Sequence, residues 1–324
     1  MTKRVVLIGH PVAHSLSGAM QQAAFDSLGI DAAYELWDKA PIELVDAIGE
    51  LRGDGFLGAN VTIPHKERVV PLMDRITEEA HATGAVNTIT REGKRLVGHN
   101  TDVPGFKVAL DKLVGKQKMP RHAVLLGAGG GARAVVHGLI TEGFQRIIVF
   151  NRHLHRAEGL VKHFGRSASH MELRAMPWHE SIIEAELSKT KILINATSIG
   201  LTTDESPIPA EILNGDLMVL DLIYAQTRLQ RDAKAAGAAV SDGEAMLLHQ
   251  GAASFTLWTG QAAPLDVMAE ALATARAGGL RSAEGEPTGE PVPAEPAAES
   301  SAPATDAAEA DDAEADDSAS GDAG

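Results

Sequence analysis

Lys66, in the segment NVTIPHK, and Asp102, in GHNTD, are a lysine and a carboxylate of the kind that carbonyl reduction needs. Delivery of a hydride to a carbonyl creates an alkoxide, and an ammonium held by a carboxylate both stabilises that charge and supplies the proton. This chemistry needs no metal. His153 and His155 share one loop, but without further ligands at metal spacing they do not make a zinc site. A structural ion pair, or two unrelated surface charges, is the alternative reading of Lys66 and Asp102. Other polar clusters accompany them: Ser15 and Ser17 in HSLSG, Asn60 and Thr62 just ahead of Lys66, Asn87 in AVNT, and Thr101 beside Asp102. Each alone could be a cap, Ser17 of a helix and the Asn or Asp residues of turns. Taken together around one Lys and one Asp, they suit a pocket for a small polyhydroxylated acid.

A second constellation suits a dinucleotide. Gly127, Gly129 and Ala132 fit G-x-G-x-x-A directly after the run HAVLL and directly before a helix-forming stretch. Missing Cβ atoms let the backbone approach a pyrophosphate, and the free N–H groups at the helix start stabilise its charge. A tight turn that holds no ligand is the alternative. The next strand-like run, RIIVF, ends at Asn151, 24 residues beyond Gly127, where an NAD enzyme usually carries Asp or Glu for the ribose hydroxyls. Here Arg152 and Arg156 follow instead, four residues apart and so one helical turn from each other. Two guanidiniums beside an adenosine 2′-phosphate favour NADP over NAD, whereas arginines on a solvated loop would signify nothing.

The elements that must position these residues alternate along the chain. RVVLIG, AAYELW and FLGANVTIP are apolar runs, interleaved with the helix-length segments LSGAMQQAAFDSLG, PIELVDAIGELRG and KERVVPLMDRI. Such alternation predicts an α/β fold with crossover helices and a mixed or parallel sheet. GAVNTIT and KRLVGHNTD flank a hairpin turn at REGKR, and a helix is expected from about Pro104 to Val114. Strand-like runs at HAVLL, RIIVF, KILINAT, LMVLDLI and AAV then predict a Rossmann-type, doubly wound nucleotide-binding domain. The expected organisation is a substrate-binding and catalytic domain over 1–104, the nucleotide domain over 105–244, and helices over 245–277 packing back on the first domain. A disordered acidic tail is expected over 278–324.

Composition narrows the function classes. The chain has 324 residues, a formal net charge of −15 and no cysteine. Residues 281–324 hold seven Glu and six Asp against Arg281 alone, −12 of the total, so the body is nearly neutral. That tail has too few large apolar groups to offset its ordering entropy, and is read as a solubilising extension rather than an interaction segment. No basic stripe or aromatic platform is present, which argues against a nucleic-acid partner. No apolar stretch approaches the ~18 residues of a membrane span, and MTKRVVLIGH lacks the apolar core of a signal peptide. Zero cysteine excludes thiol chemistry and disulfides and fits a reducing cytoplasm. No heptad or exposed apolar stripe defines an oligomer, and a homodimer stays open.

The ordered set HSLSG, GANVTIPHKE, GAVNTI, GHNTD, GAGGGARAV, NR with a following RA, NATSIG and DGEAMLLHQ resembles shikimate dehydrogenase, over about residues 5–275. The resemblance implies reversible NADP-dependent reduction of 3-dehydroshikimate to shikimate, on the way to aromatic amino acids. It assigns Lys66 and Asp102 as the catalytic pair. Ser15, Ser17 and Thr62 would lie at the substrate carboxylate, with Asn87, Asp102 and Gln250 at the ring hydroxyls and Tyr224 on the substrate side. On the cofactor side it implies Gly127, Ala128, Gly129, Gly130 and Gly131 at the pyrophosphate, and Asn151, Arg152 and Arg156 at the 2′-phosphate. Leu222 and Gly243 would border the nicotinamide, and Glu78 is a further cofactor-side match. The chain departs from the family pattern at Gly18, where proline is common, at His153, and at Tyr224-Ala225-Gln226-Thr227. An NAD-preferring quinate or shikimate dehydrogenase and a non-catalytic NADP-binding sensor are the rival readings.

Overall fold

The computed structural model describes residues 2–284. The chain opens with β1 (Lys3–Gly9), α1 (Ser17–Ser27), β2 (Ala32–Asp38), α2 (Leu44–Glu50) and β3 (Phe56–Val61). It continues through β4 (Arg75–Ile76), α3 (Glu78–Thr83), the hairpin β5 (Thr88–Glu92) and β6 (Arg95–His99), and α4 (Asp102–Val114). These six strands form one sheet, in the order β2-β1-β3-β5-β6-β4. Strands β1, β2 and β3 are parallel, whereas β5 runs antiparallel to both β3 and β6, so the sheet is mixed.

The second half comprises β7 (His122–Leu126), α5 (Gly130–Thr141), β8 (Arg146–Asn151), α6 (Leu154–Phe164), β9 (Glu172–Pro177), α7 (Glu180–Leu187) and β10 (Ile192–Asn195). Then come β11 (Met218–Asp221), α8 (Arg228–Ala235), β12 (Ala239–Ser241), α9 (Glu244–Thr259) and α10 (Leu265–Glu284). Its sheet is parallel throughout, in the order β12-β11-β10-β7-β8-β9. The central strands are continuous apolar runs because helices cover both faces: Val124 and Leu126 pack on one side with Ile183 and Leu229, Leu125 on the other with Val135 and Phe106. Phe255 and Trp258 of α9, with Met268 and Leu272 of α10, pack against Met20, Ala24 and Phe25 of α1 and against Val5.

Three local expectations are corrected. KERVVPLMDRI is no helix: Val70–Leu72 is one 3₁₀ turn and Arg75–Ile76 pairs with β6. Pro71 has no N–H to donate and its ring rejects the preceding turn. Ser17 caps nothing; it is the first residue of α1, and its own N–H is accepted by Ser15 Oγ at 3.3 Å. Residues 278–284, expected in the disordered tail, continue α10, while the rest of that tail, 285–324, lies outside the described residues.

Candidate active site

The register of the first sheet gathers the polar clusters. Asn60, at the carboxyl end of β3, pairs with Thr88 at the start of β5, and Thr88 pairs with His99 at the end of β6. The turns leaving β3 and β6 and the turn entering β5 therefore meet at one edge, bringing Lys66, Asp102 and Asn87 together. Lys66 Nζ donates to Asp102 Oδ2 at 2.5 Å, with side-chain exposures of 15% and 5%. Asp102 begins α4, where the helix dipole favours a carboxylate, and Asn100 Oδ1 accepts the N–H groups of Asp102 and Val103. The Asn87 amide faces the other carboxylate oxygen at 3.0 Å, Thr101 Oγ1 at 2.8 Å and Gln250 Oε1 at 3.3 Å. Its own oxygen accepts the Thr101 N–H at 2.7 Å.

A buried hydroxyl cluster stands behind this arrangement. Ser254 Oγ lies 2.7 Å from Thr88 Oγ1 and 3.0 Å from Thr101 Oγ1, and Asn60 Nδ2 donates to it at 3.1 Å. With every member bonded, the cluster fixes the backbone that carries Asn87 and Asp102. Ser254 escapes a reading of the sequence; its one signal is its position one helical turn after Gln250.

Ser15, Ser17, Thr62, Lys66, Asn87, Asp102, Tyr224 and Gln250 all line one cavity of about 270 Å³. Gly129, Gly130, Gly131, Leu222 and Gly243 border the same space. Burial pushes the Tyr224 phenol above its ordinary range, opposed in part by a hydrogen bond with the Leu16 backbone. A second cavity, of about 800 Å³, is lined by Gly127, Ala128, Gly129, Gly130, Asn151, Arg152 and Arg156. Lys66, Gly129 and Gly130 border both.

The glycine turn has a reason at two positions. Gly127 has φ +107°, and a Cβ there would sit 2.7 Å from the Ala196 carbonyl oxygen. At Gly130 a Cβ would lie 2.7 Å from Lys66 Cβ, so the start of α5 abuts the lysine itself. A Cβ on Gly129 would meet nothing within 4 Å and project into open space.

Glu78 is exposed in the first turn of α3 and lines neither cavity. Thr77 and Gly84 cap that short helix, Thr77 by accepting the Ala80 N–H and Gly84 in the left-handed conformation. Glu67 occupies the cofactor-side cavity instead, accepting from Arg133 Nε at 2.9 Å and facing an Arg156 guanidinium nitrogen at 3.6 Å. Thr197 and Ser198, just past β10, border both cavities and enter the sequence pattern only as part of NATSIG. Among the described residues, no group of three or more His, Cys, Asp or Glu could hold a metal ion, and no helix is long and apolar enough to cross a membrane.

Comparison with known proteins gives these features a lineage. Residues 7–89 match the family model of the shikimate dehydrogenase substrate binding domain, 110–205 that of shikimate / quinate 5-dehydrogenase, and 243–273 that of the shikimate 5′-dehydrogenase C-terminal domain. A shikimate dehydrogenase (NADP(+)) of Methanopyrus kandleri is 42% identical over 276 residues, covering 84% of this chain and 95% of that protein. The chain belongs to the shikimate dehydrogenase family. A second relative, from Symbiobacterium thermophilum and of the same name, is 39% identical over 87% of this chain and 95% of its own length. The shikimate 5-dehydrogenase of Thermus thermophilus, crystallised with NADP(H) and shikimate, superposes with a TM-score of 0.73 at 40% identity, covering 85% of this chain and all of that one. The resemblance read from HSLSG through DGEAMLLHQ is thus to the family the chain belongs to, and its mixed sheet and parallel sheet superpose on that solved relative.

Proposed function

We propose that this enzyme catalyses the reversible NADP-dependent reduction of 3-dehydroshikimate to shikimate, with Lys66 and Asp102 as the catalytic pair. The observation that carries the reading is the 2.5 Å contact between Lys66 Nζ and Asp102 Oδ2 inside a cavity walled on its other side by the glycine turn.

NADP fits the residues present. Gly129 leaves open space where a pyrophosphate would approach, the N–H groups at the start of α5 can donate to its oxygens, and Arg152 and Arg156 border the same cavity for a 2′-phosphate. Leu222 and Gly243 border the nicotinamide side, where a Cβ on Gly243 would lie 2.1 Å from the Leu222 carbonyl oxygen. When bound, the reduced nicotinamide supplies the hydride taken up at the substrate carbonyl carbon.

The chain's own residues manage the oxygen and the proton. Lys66, as an ammonium, donates a proton to the oxygen that becomes negative during reduction, and as an amine it takes that proton back in the oxidative direction. Asp102 holds Nζ in place and accepts from a ring hydroxyl. Asn87, which bonds Asp102 and Gln250, orients both toward the ring. Ser15, Ser17 and Thr62 offer hydroxyls to the substrate carboxylate, and Tyr224 closes the substrate side. We extend the reading to a cytoplasmic homodimer, which light scattering tests as a mass twice that of one chain.

The test is a steady-state comparison of shikimate and quinate with NADP⁺ and NAD⁺. The expected result is the highest kcat/KM with shikimate and NADP⁺. A preference for quinate with NAD⁺ would overturn the assignment, and nucleotide binding with no turnover of either acid would make the protein a sensor.

A further inference from the structure

The segment 222–227 carries both Leu222 and Tyr224, yet it leaves a four-residue strand with no regular structure of its own until α8 begins at Arg228. What shapes it is the side chain of the last residue of β11. Asp221 is fully buried and, among the described residues, pairs with no lysine, arginine or histidine. Its Oδ1 accepts from Asn195 Nδ2 at 3.0 Å and from the Ile223 N–H at 3.2 Å. Its Oδ2 accepts from Thr227 Oγ1 at 2.6 Å and from Gln230 Nε2 at 3.2 Å. Gln230 Nε2 also donates to the carbonyls of Ile223 and Ala225 at 3.0 and 2.9 Å. One carboxylate thereby ties the beginning of the segment, its end and the first turn of α8 to a single point. Through Asn195, whose Oδ1 accepts from Thr197 Oγ1 at 2.7 Å, it also reaches the turn after β10.

The geometry points to Asp221 as a positioning residue that holds Tyr224 and Leu222 against the substrate cavity. A buried carboxylate without a cation is costly and is retained where four donors converge on it. Burial accordingly pushes its carboxyl above the ordinary carboxylate range, against the pull of those four bonds. The inference rests on the reading of Tyr224 as a substrate-side residue.

Two substitutions test it in the full chain. Asp221→Asn keeps the volume but sets an NH₂ either against the Asn195 NH₂ and the Ile223 N–H or, turned over, against the Gln230 NH₂, and in both settings the bond to Ile223 loses its charged acceptor. Thr227→Val removes one donor only, and Thr227→Ser restores it. Expected outcomes are a shikimate KM raised about tenfold for Asp221→Asn and about threefold or more for Thr227→Val, with Thr227→Ser near wild type. The Kd for NADP⁺ should stay within about threefold, because the glycine turn and the arginines sit on other strand ends. Independently of turnover, hydrogen exchange at the Ile223 amide should accelerate at least about tenfold in Asp221→Asn. Variants that lose thermal stability while shikimate KM and Ile223 exchange stay unchanged would overturn the inference. A wild type that does not turn over shikimate would overturn the functional reading instead, and the exchange comparison would still judge the segment.

Discussion

Gly130→Ala probes the place where the two halves of the site touch. The added methyl would stand 2.7 Å from Lys66 Cβ, 3.1 Å from its Cδ and 3.3 Å from its Cγ. Carbon atoms prefer 3.5–4.0 Å, so the helix start and the lysine must separate by about 1 Å. Lys66 Cβ is attached to the backbone and cannot swing aside as a side-chain tip would. The displacement therefore passes to the lysine that the reaction uses, and a misplacement of about 1 Å costs about 10²-fold in rate, equivalent to about 2.7 kcal/mol. Shikimate-dependent reduction of NADP⁺, followed at the nicotinamide absorbance, should show kcat/KM lowered about 100-fold with the thermal midpoint little changed. Gly159→Ala is the control: it lies exposed within α6, a Cβ there meets nothing within 4 Å, and the change should leave kinetics alone while stabilising by about 1 kcal/mol. Gly130→Ala with kcat/KM within threefold of wild type would show that the glycine turn and Lys66 do not approach as described.

Two further outcomes follow from charge. Arg152→Ala and Arg156→Ala should each raise the Kd for NADP⁺ by about tenfold while moving that for NAD⁺ less than about twofold, since only the former carries the 2′-phosphate; equal losses with both nucleotides would remove the arginines from that role. Glu186, nearly buried between Arg146 and Lys189, has its carboxyl held below the ordinary 4.5, chiefly by its hydrogen bond with Arg146. A depressed folded value means that its stabilisation is present above pH 4.5 and fades as pH falls through the folded value. Glu186→Gln should thus lower the unfolding free energy measured by urea titration at pH 7 by on the order of 1 kcal/mol, and the gap to wild type should close at pH 3; identical free energies at pH 7 would contradict this.

Runs such as VVLI, AVLL and IIVF announce buried parallel strands because both faces of the sheet are covered, so nearly every residue must be apolar. The same logic hides β9, ELRAMP, which lies at the sheet edge, partly buried and chemically mixed. Helix α3 is only six residues long, too short for periodicity to show, and only its Thr77 and Gly84 caps betray it. KERVVPLMDRI reads as a helix on apolar content alone, until Pro71 is given its steric weight. In the site, Lys66, Asp102, Asn87 and the glycine turn are legible because strand ends are where an α/β sheet exposes polar groups. Ser254, Thr197, Glu67 and Asp221 are not, since each acts through contacts that depend on how distant segments pack. Glu78 rests on the family match alone: it is exposed and lines neither cavity.

Most direct of all is the turnover of Lys66→Met with shikimate and NADP⁺, measured beside the Kd for shikimate. If the ammonium held by Asp102 moves the proton, kcat falls by about 10²–10⁴-fold while shikimate affinity changes only a few-fold. Turnover within tenfold of wild type, or a loss of affinity as large as the loss of rate, would contradict the role given to this pair.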